Sequence, residues 1–443
     1  MGPVGQSTEG SMAIENDVLV IGGGVAAVAS ALAARETGAD VRLIAHKQST
    51  LRQASGLIDV LGYHPADADD DASRTEPIVD PFEAIEEVPE GHPYERVGAG
   101  AVRAGLDLFD DVVGDAYVGG HTDRNALVPT HGGAVKPTAR YPASAAAGVA
   151  SDDRDAFFVG FKSVPGFDAL VAADHLRAAG VPFDVRGATI EFPGDLRDDA
   201  KLTRYAHLLD RNDAVEVDGR SRPVRQALAE RVEERLSGHE RVGFPAILGD
   251  DHPAEVREAL SDLLGAEVFE VPMGPPSLPG MRLSDMLFEA LEDAGVRVTT
   301  GNPVVDFEAD GDRVDRVIAE HTASRVPYRA EQYVLATGGL VGKGIQSDRE
   351  RVYEPIFDLP VPQPEDRYDW FEEGAFDDHP FARFGVPIDR ETRPLDADDE
   401  PAYENLRAAG AVVGGYDFAA EKSGSGISLA TGYAAGSEAG DRA

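Results

Sequence analysis

The sequence predicts an α/β protein built on a parallel or mixed sheet and folded as two interleaved lobes. Three observations predict it. A βαβ pattern with a glycine turn opens the chain at Asp17, strand-like and helix-like runs alternate through the middle, and three glycine-rich turns each follow an apolar strand. With 443 residues the chain can bury a sizeable core.

The opening unit follows from local chemistry. "DVLVI" is a short, apolar, β-branched run, and Gly22, Gly23 and Gly24 then allow a tight turn. "VAAVASALAARETG" is rich in helix formers and ends on Gly38 as a C-cap; "DVRLIA" reads as the second strand. The turn has the form Gly22-x-Gly24-x-x-Ala27, with Ala27 in place of the third glycine for close helix–strand packing. Free N–H groups and the helix dipole at such a turn favour a phosphate. The acid that grips an adenosine ribose normally ends the second strand. Here that strand ends in Ala45, followed by His46 and Lys47, with no Asp or Glu nearby. A mononucleotide would need the glycines without the acid, so the missing clamp favours a ligand lacking the adenosine half.

Beyond this unit, "HPYERVGAGAVRAGLDLFDDVV" reads as a loop and helix, followed by a Pro/Gly-rich stretch from Val118 to Ser144. "AFFVGFKSV", "ATIEF", "RVGFPAIL" and "AEVFEVP" then alternate as strands with the helical runs "FDALVAADHLRAAG", "RPVRQALAERVEERLSG" and "PAEVREALSDLLG". A Pro-rich loop, an amphipathic helix and paired strands turning at "ADGD" lead to the buried strand of "EQYVLATGGLVGKG". The last elements are a strand, a Gly-rich loop and a helix starting near Gly424. The expected divisions are a disordered leader at 1–16, a nucleotide lobe at 17–150, an inserted α/β domain at 151–272, and a return to the nucleotide lobe at 273–443.

Composition narrows the function. Lys and Arg number 41 against 80 Asp and Glu, a formal net charge of −39, which argues against a nucleic-acid partner. The acids are spread along the whole chain, as expected of a protein from a high-salt cytoplasm where self-repulsion is screened. Without cysteine the chain holds no disulfide, thiol nucleophile or iron–sulfur cluster of its own. No apolar run approaches the ~18 residues of a membrane span, and the polar start lacks a signal region, so an intracellular protein is expected, with membrane contact only through a partner. No metal site is expected: HExxH and clustered ligands are absent, as is a G-x-S-x-G elbow. "GGLVGKG" is rejected as a phosphate loop, because Thr337 stands where the first Gly belongs and Gly344 where Ser or Thr belongs.

Three strand-end turns remain: Gly22 to Gly24, Gly338 with Gly339, and Gly414 with Gly415 leading to Gly424 and Gly426. Together they suggest one crevice at the carboxyl edge of one sheet. The last places a glycine-cleared helix N-terminus there, suited to stabilising negative charge on a reduced flavin.

At these residues the chain resembles a known family. "LIAHKQSTLRQASGLIDVLGY", "GPPSLPGMRL", "VLATGGLVGKG", "FGVPIDRETRP" and "NLRAAGAVVGGYDFAAEKSGSGISLATGYAAG" resemble the B subunit of anaerobic glycerol-3-phosphate dehydrogenase. The likeness runs from Asp17 to the end and thins between Ala66 and Pro272. It implies a glutathione-reductase-like FAD/NAD(P)-binding Rossmann lobe with an inserted second α/β domain. It also implies oxidation of glycerol 3-phosphate to dihydroxyacetone phosphate, with electrons passed to the quinone pool. In that family an FAD-containing A subunit is the usual seat of substrate oxidation, and the B subunit is credited with FMN. A cysteine-rich iron–sulfur C subunit supplies the membrane anchor, which would hold this chain peripherally on the cytoplasmic face. The missing ribose acid accords with FMN, and FAD is the alternative. By the resemblance Gly22, Gly23 and Gly24 meet the flavin phosphate, Ser55 and Gly56 approach the isoalloxazine, and Gly424 and Gly426 clear its pyrimidine edge. Arg282, one turn into the helix after "PPSLPG", could face an anionic substrate or a partner carboxylate. No residue is identified as general base, which places that chemistry in the FAD-containing partner. Two other readings stay open: a cofactor-less structural component of the complex, and a stand-alone FAD oxidoreductase of another substrate.

Overall fold

The computed structural model describes residues 13–47, 49–65, 76–194, 196, 200–238, 241–322, 324–375 and 377–443. These fall into two compact units, one of residues 1–50, 63–112 and 286–443, the other of 51–62 and 113–285.

The first unit is built on a seven-stranded mixed sheet. Its elements are β1 (Ile14–Ile21), α1 (Val25–Glu36), β2 (Val41–Ala45), β3 (Arg297–Thr300), β4 (Val304–Asp310), β5 (Arg313–His321), β6 (Ser324–Leu335), β7 (Leu406–Ala408) and α2 (Gly424–Asp441). The strand order is β3-β2-β1-β6-β5-β4, with β7 also pairing with β6. Strands β3, β2, β1, β6 and β7 are parallel, while β5 and β4 add an antiparallel edge. Register places Ile21 opposite Ile44 and Leu335, and Leu335 opposite Ala408. The carboxyl ends of β1, β2, β6 and β7 therefore share one edge. Val18 to Ile21 are all buried, as expected for a central parallel strand covered on both faces.

One face carries the core of Leu19, Ile21, Val317, Tyr333, Leu335 and Leu406. On α1, helix α2 packs almost backbone to backbone. A Cβ at Gly432 would lie 2.7 Å from the Ala26 carbonyl oxygen, and Cβ atoms at Gly436 and Gly440 would crowd the Ser30 and Ala34 carbonyl oxygens. Contacts advance in the same direction on both helices, so α1 and α2 run parallel with their N-termini at the same end. Because α2 begins eight residues before Gly432, it projects about 12 Å past the start of α1.

The second unit has a four-stranded parallel sheet ordered Glu267–Val271, Arg241–Pro245, Ala156–Phe161, Val185–Ile190. The edge-to-face pair Phe158–Phe269 (5.9 Å) and the stacked pair Phe161–Phe244 (6.2 Å) help fill its core.

Two expected boundaries are corrected. Residues 1–12 lie outside the described residues, but Ile14, Glu15 and Asn16 belong to β1 rather than to a leader, because the long β6 offers them partners at Tyr328, Arg329 and Ala330. The second unit is also larger than residues 151–272. Fully buried Arg241 donates to the carbonyls of Ala147 (3.1 Å), Val149 (3.2 Å) and Asp152 (3.1 Å), and Gly148 sits against the Phe269 ring. These long-range contacts tie the preceding segment to the sheet, and no local pattern announces them. Among the described residues no helix is long and apolar enough to cross a membrane.

Candidate functional site

At the carboxyl edge of the first unit's sheet lies a cleft of about 500 Å³, within the range of small-molecule sites. Its floor is the glycine turn after β1, with Gly22, Gly23 and Gly24 lining it. One wall comes from Ala45 at the end of β2 and from His46 and Lys47 just after it, with Pro303 to Val305 beyond. The other comes from the turn after β6, including Thr337, Gly338 and Lys343, and from Pro355 and Ile356.

The glycines serve different ends. Gly22 has φ +146°, and a Cβ there would collide with the Ala336 carbonyl, so the protein itself requires glycine. At Gly23 a Cβ would press to 3.0 Å from that of Ala45. Gly24 differs: its backbone is extended (φ −90°, ψ −176°) and a Cβ would meet nothing within 4 Å. The fold does not need glycine at this position. A ligand approaching the backbone would. Gly24 is also the N-cap of α1, without a side-chain cap or an acid in the first turn, so the helix presents its N–H groups to the cleft.

Thr337 Oγ1 is buried and has no hydrogen-bond partner among the described residues, a polar atom that a ligand in the cleft would satisfy. No Asp or Glu lines the cleft among the described residues, where an even spread of the chain's acids would place about four. An anion in the cleft would meet no carboxylate among the described lining residues.

Glu354 sits behind the wall. Fully buried, its carboxylate accepts the backbone N–H groups of Ile356 (2.9 Å) and Phe357 (2.7 Å), shaping the loop that lines the cleft. Burial pushes its pKa up to about 7, with the backbone donors opposing and Asp358 adding to the rise.

The turns after β1 and β6 thus meet in one cleft, as the sequence suggests for Gly22, Gly23, Gly24 and Gly338. The remaining expected residues lie elsewhere. Gly339 packs on the Ala411 carbonyl, Gly414 on Gly385 and Gly415 on the Gly91 carbonyl, so backbone approach accounts for these three. Gly424 and the buried Gly426 open α2, whose N-cap carries no side-chain hydrogen bond because Ser423 Oγ donates to Glu421 (2.8 Å) instead. Glu421 is held from the other side by buried His92 (3.2 Å), whose Nδ1 accepts the Tyr94 N–H, leaving Nε2 as the donor. Ser55 and Gly56 belong to the second unit, where Gly56 (φ +80°) packs beside Pro279, Tyr117 and Pro142.

Arg282 is a correction. Rather than facing a substrate or partner, its guanidinium makes a bidentate pair with buried Glu270 (2.7 and 3.1 Å) and donates to the Gly249 carbonyl. Burial favours a neutral Glu270, but Arg282 and the N–H of Leu248 (2.7 Å) overcome it and hold the carboxyl below its usual range.

The expectation of FMN rests on the family resemblance and on the missing ribose acid. The cleft, however, continues past the phosphate turn to the end of β2 and to Pro303–Val305, the side on which a dinucleotide's adenosine half lies. Sequence reasoning missed Lys47, Lys343 and Pro303–Val305 as lining residues. Lys343 stood in the rejected "GGLVGKG", and the 303–305 wall comes from a distant segment with no motif.

Comparison with known proteins agrees with this geometry. Residues 17–427 match a family described as the FAD binding domain. A Halobacterium salinarum protein, the probable B subunit of anaerobic glycerol-3-phosphate dehydrogenase, is 63% identical over 428 residues, covering 97% of this chain and 98% of that one. The B subunit of the anaerobic glycerol-3-phosphate dehydrogenase of Pectobacterium atrosepticum is 28% identical over 429 residues, covering 93% and 96%. Among solved structures, the 3-ketosteroid-Δ4-(5α)-dehydrogenase of Rhodococcus jostii RHA1 aligns over 98% of this chain and 97% of its own. Its identity is 14% and its TM-score 0.39, too loose a likeness to bear on function.

Proposed function

Because this chain belongs to the FAD-binding-domain family and to the family of B subunits of anaerobic glycerol-3-phosphate dehydrogenase, we propose that it is a flavoprotein component of such a complex. In this reading the complex oxidises sn-glycerol 3-phosphate to dihydroxyacetone phosphate and passes the electrons towards a quinone pool. An FAD-bearing A subunit would carry substrate oxidation, and an iron–sulfur C subunit would hold the assembly to the membrane. The absence of cysteine in this chain accords with clusters carried elsewhere.

One observation carries the cofactor reading. Gly24 is a glycine that the fold does not need, at a helix N-terminus facing a cleft that no described carboxylate lines. The cavity on the adenosine side and the family's description favour FAD over FMN. When bound, a flavin supplies the acceptor for the two electrons lost by the substrate's secondary carbinol. Gly22 to Gly24 and the first turn of α1 would hold its phosphates, and Thr337 Oγ1 would donate to or accept from it. Gly424 and Gly426, on the helix that projects past α1, would meet the ring's pyrimidine edge and stabilise charge there.

Heat-releasing the bound cofactor and weighing it tests this directly. FAD is expected; FMN would restore the mononucleotide reading, and a colourless protein that takes up neither flavin would leave a purely structural role. Dye-linked oxidation of glycerol 3-phosphate should be poor with this chain alone and rise when its FAD-bearing partner is added. Full activity from the chain alone would overturn the accessory role.

A further inference from the structure

The ribose clamp is missing, yet the space for an adenosine half is present. What holds that half must come from the residues that are there. At the end of β2 the cleft offers exposed His46 and Lys47, and across it stands Lys343, in the "GGLVGKG" stretch that fails as a phosphate loop.

Lys343 is unusual in its backbone. It has φ +70°, a left-handed conformation that L side chains adopt only at a cost, and it stands between Gly342 and Gly344. Glycine would serve the turn better, so the side chain itself is the reason for lysine here. Neither Lys47 nor Lys343 forms a hydrogen bond or ion pair with another described residue. No described carboxylate lines the cleft to neutralise them. In a chain of net charge −39, two lysines lining a cleft that no described carboxylate lines are a local reversal of sign.

Building on the flavin reading, we propose that Lys47 and Lys343 form a cationic clamp on the pyrophosphate and adenosine side of a dinucleotide flavin, in place of the usual ribose carboxylate. The clamp holds the ligand by charge where the carboxylate would hold it by hydrogen bonds to ribose. Its grip therefore weakens with salt more than a ribose clamp would.

The test compares wild type, Lys47→Gln, Lys343→Gly and the double variant, each stripped of cofactor. Affinities for FAD, FMN and ADP are measured between about 0.5 and 3 M KCl, alongside the melting temperature of the flavin-free protein. Each single change should weaken FAD and ADP about tenfold or more, with a smaller effect on FMN. The double variant should flatten the salt dependence. Lys343→Gly should melt no lower than wild type, because it relieves the backbone. Wild-type FAD affinity and salt slope in the double variant would overturn the clamp and leave the flavin reading standing. A Lys343→Gly protein that melts lower and loses FAD and FMN equally would mark Lys343 as structural and overturn its part. Wild type that binds none of the three would overturn both readings.

Discussion

The parallel strands of this chain's two main sheets obey the same rule and end differently. In each unit the strands' carboxyl ends share one edge, where ligands of open α/β sheets bind. In the first unit that edge is a cleft floored by glycine and walled by a loop on Glu354. In the second, Ala246, Ile247 and Leu248 are wholly buried, and the Glu270–Arg282 pair fills the space beside them. The two buried glutamates show the contrast in miniature. Glu270 has a guanidinium partner and is held ionised, whereas Glu354 has only backbone N–H donors and is pushed up to about 7. Topology locates a possible crevice; the side chains at the edge decide whether it stays open.

The largest expected effect is at the sealed edge. Glu270→Ala would leave Arg282 buried and unpaired, and chemical denaturation should show a loss of about 3–5 kcal/mol. Flavin content per folded molecule should not change. A loss under about 1 kcal/mol would mean that solvent reaches this edge and that the contrast is wrong.

Glu354 gives a slightly smaller effect with a defined sign. Its folded pKa of about 7 stands above its ordinary 4.5, so between those values the folded chain holds a proton that the unfolded chain has released. Its contribution therefore favours folding at the acid end and is lost as pH rises towards 7, by on the order of 3 kcal/mol. Subtracting the pH profile of Glu354→Gln from that of wild type isolates this contribution. A flat difference between pH 4.5 and 7.5, a window set by the shift itself, would show that the carboxylate is solvated.

The smallest effects on stability separate the two kinds of glycine at the open edge. Gly22→Ala should cost well over about 1 kcal/mol, because the conformation is incompatible with a side chain. Gly24→Val should cost the flavin-free protein only about 1 kcal/mol, the size of a helix-cap change. It should nevertheless abolish flavin retention, read from visible absorbance after purification. Full flavin stoichiometry in Gly24→Val would make the turn merely structural.

Local physics made much of this legible. The βαβ unit, the glycine turn and the start of α2 depend on residues near one another in sequence, and they stand where the patterns place them. The clash at Gly22, the open space at Gly24 and the stripe of Gly432, Gly436 and Gly440 against α1 depend on what lies opposite, which only the folded chain supplies. Arg282 shows the same limit. Read along the chain, it is a cation free to meet an anion; in the fold, Glu270 has already met it.

By itself, then, the sequence determined a nucleotide-type α/β lobe, an acidic surface, and a family likeness running from Asp17 to the end. Those properties are set by composition and by spacing over a few turns or strands. The tertiary structure alone decided which of the glycine turns share a cleft, that the cleft reaches the end of β2 and Pro303–Val305, and that Lys47 and Lys343 line it. The physical reason is that a cleft is bounded by segments hundreds of residues apart. Their meeting is fixed by strand order and register, which no local pattern in either segment records.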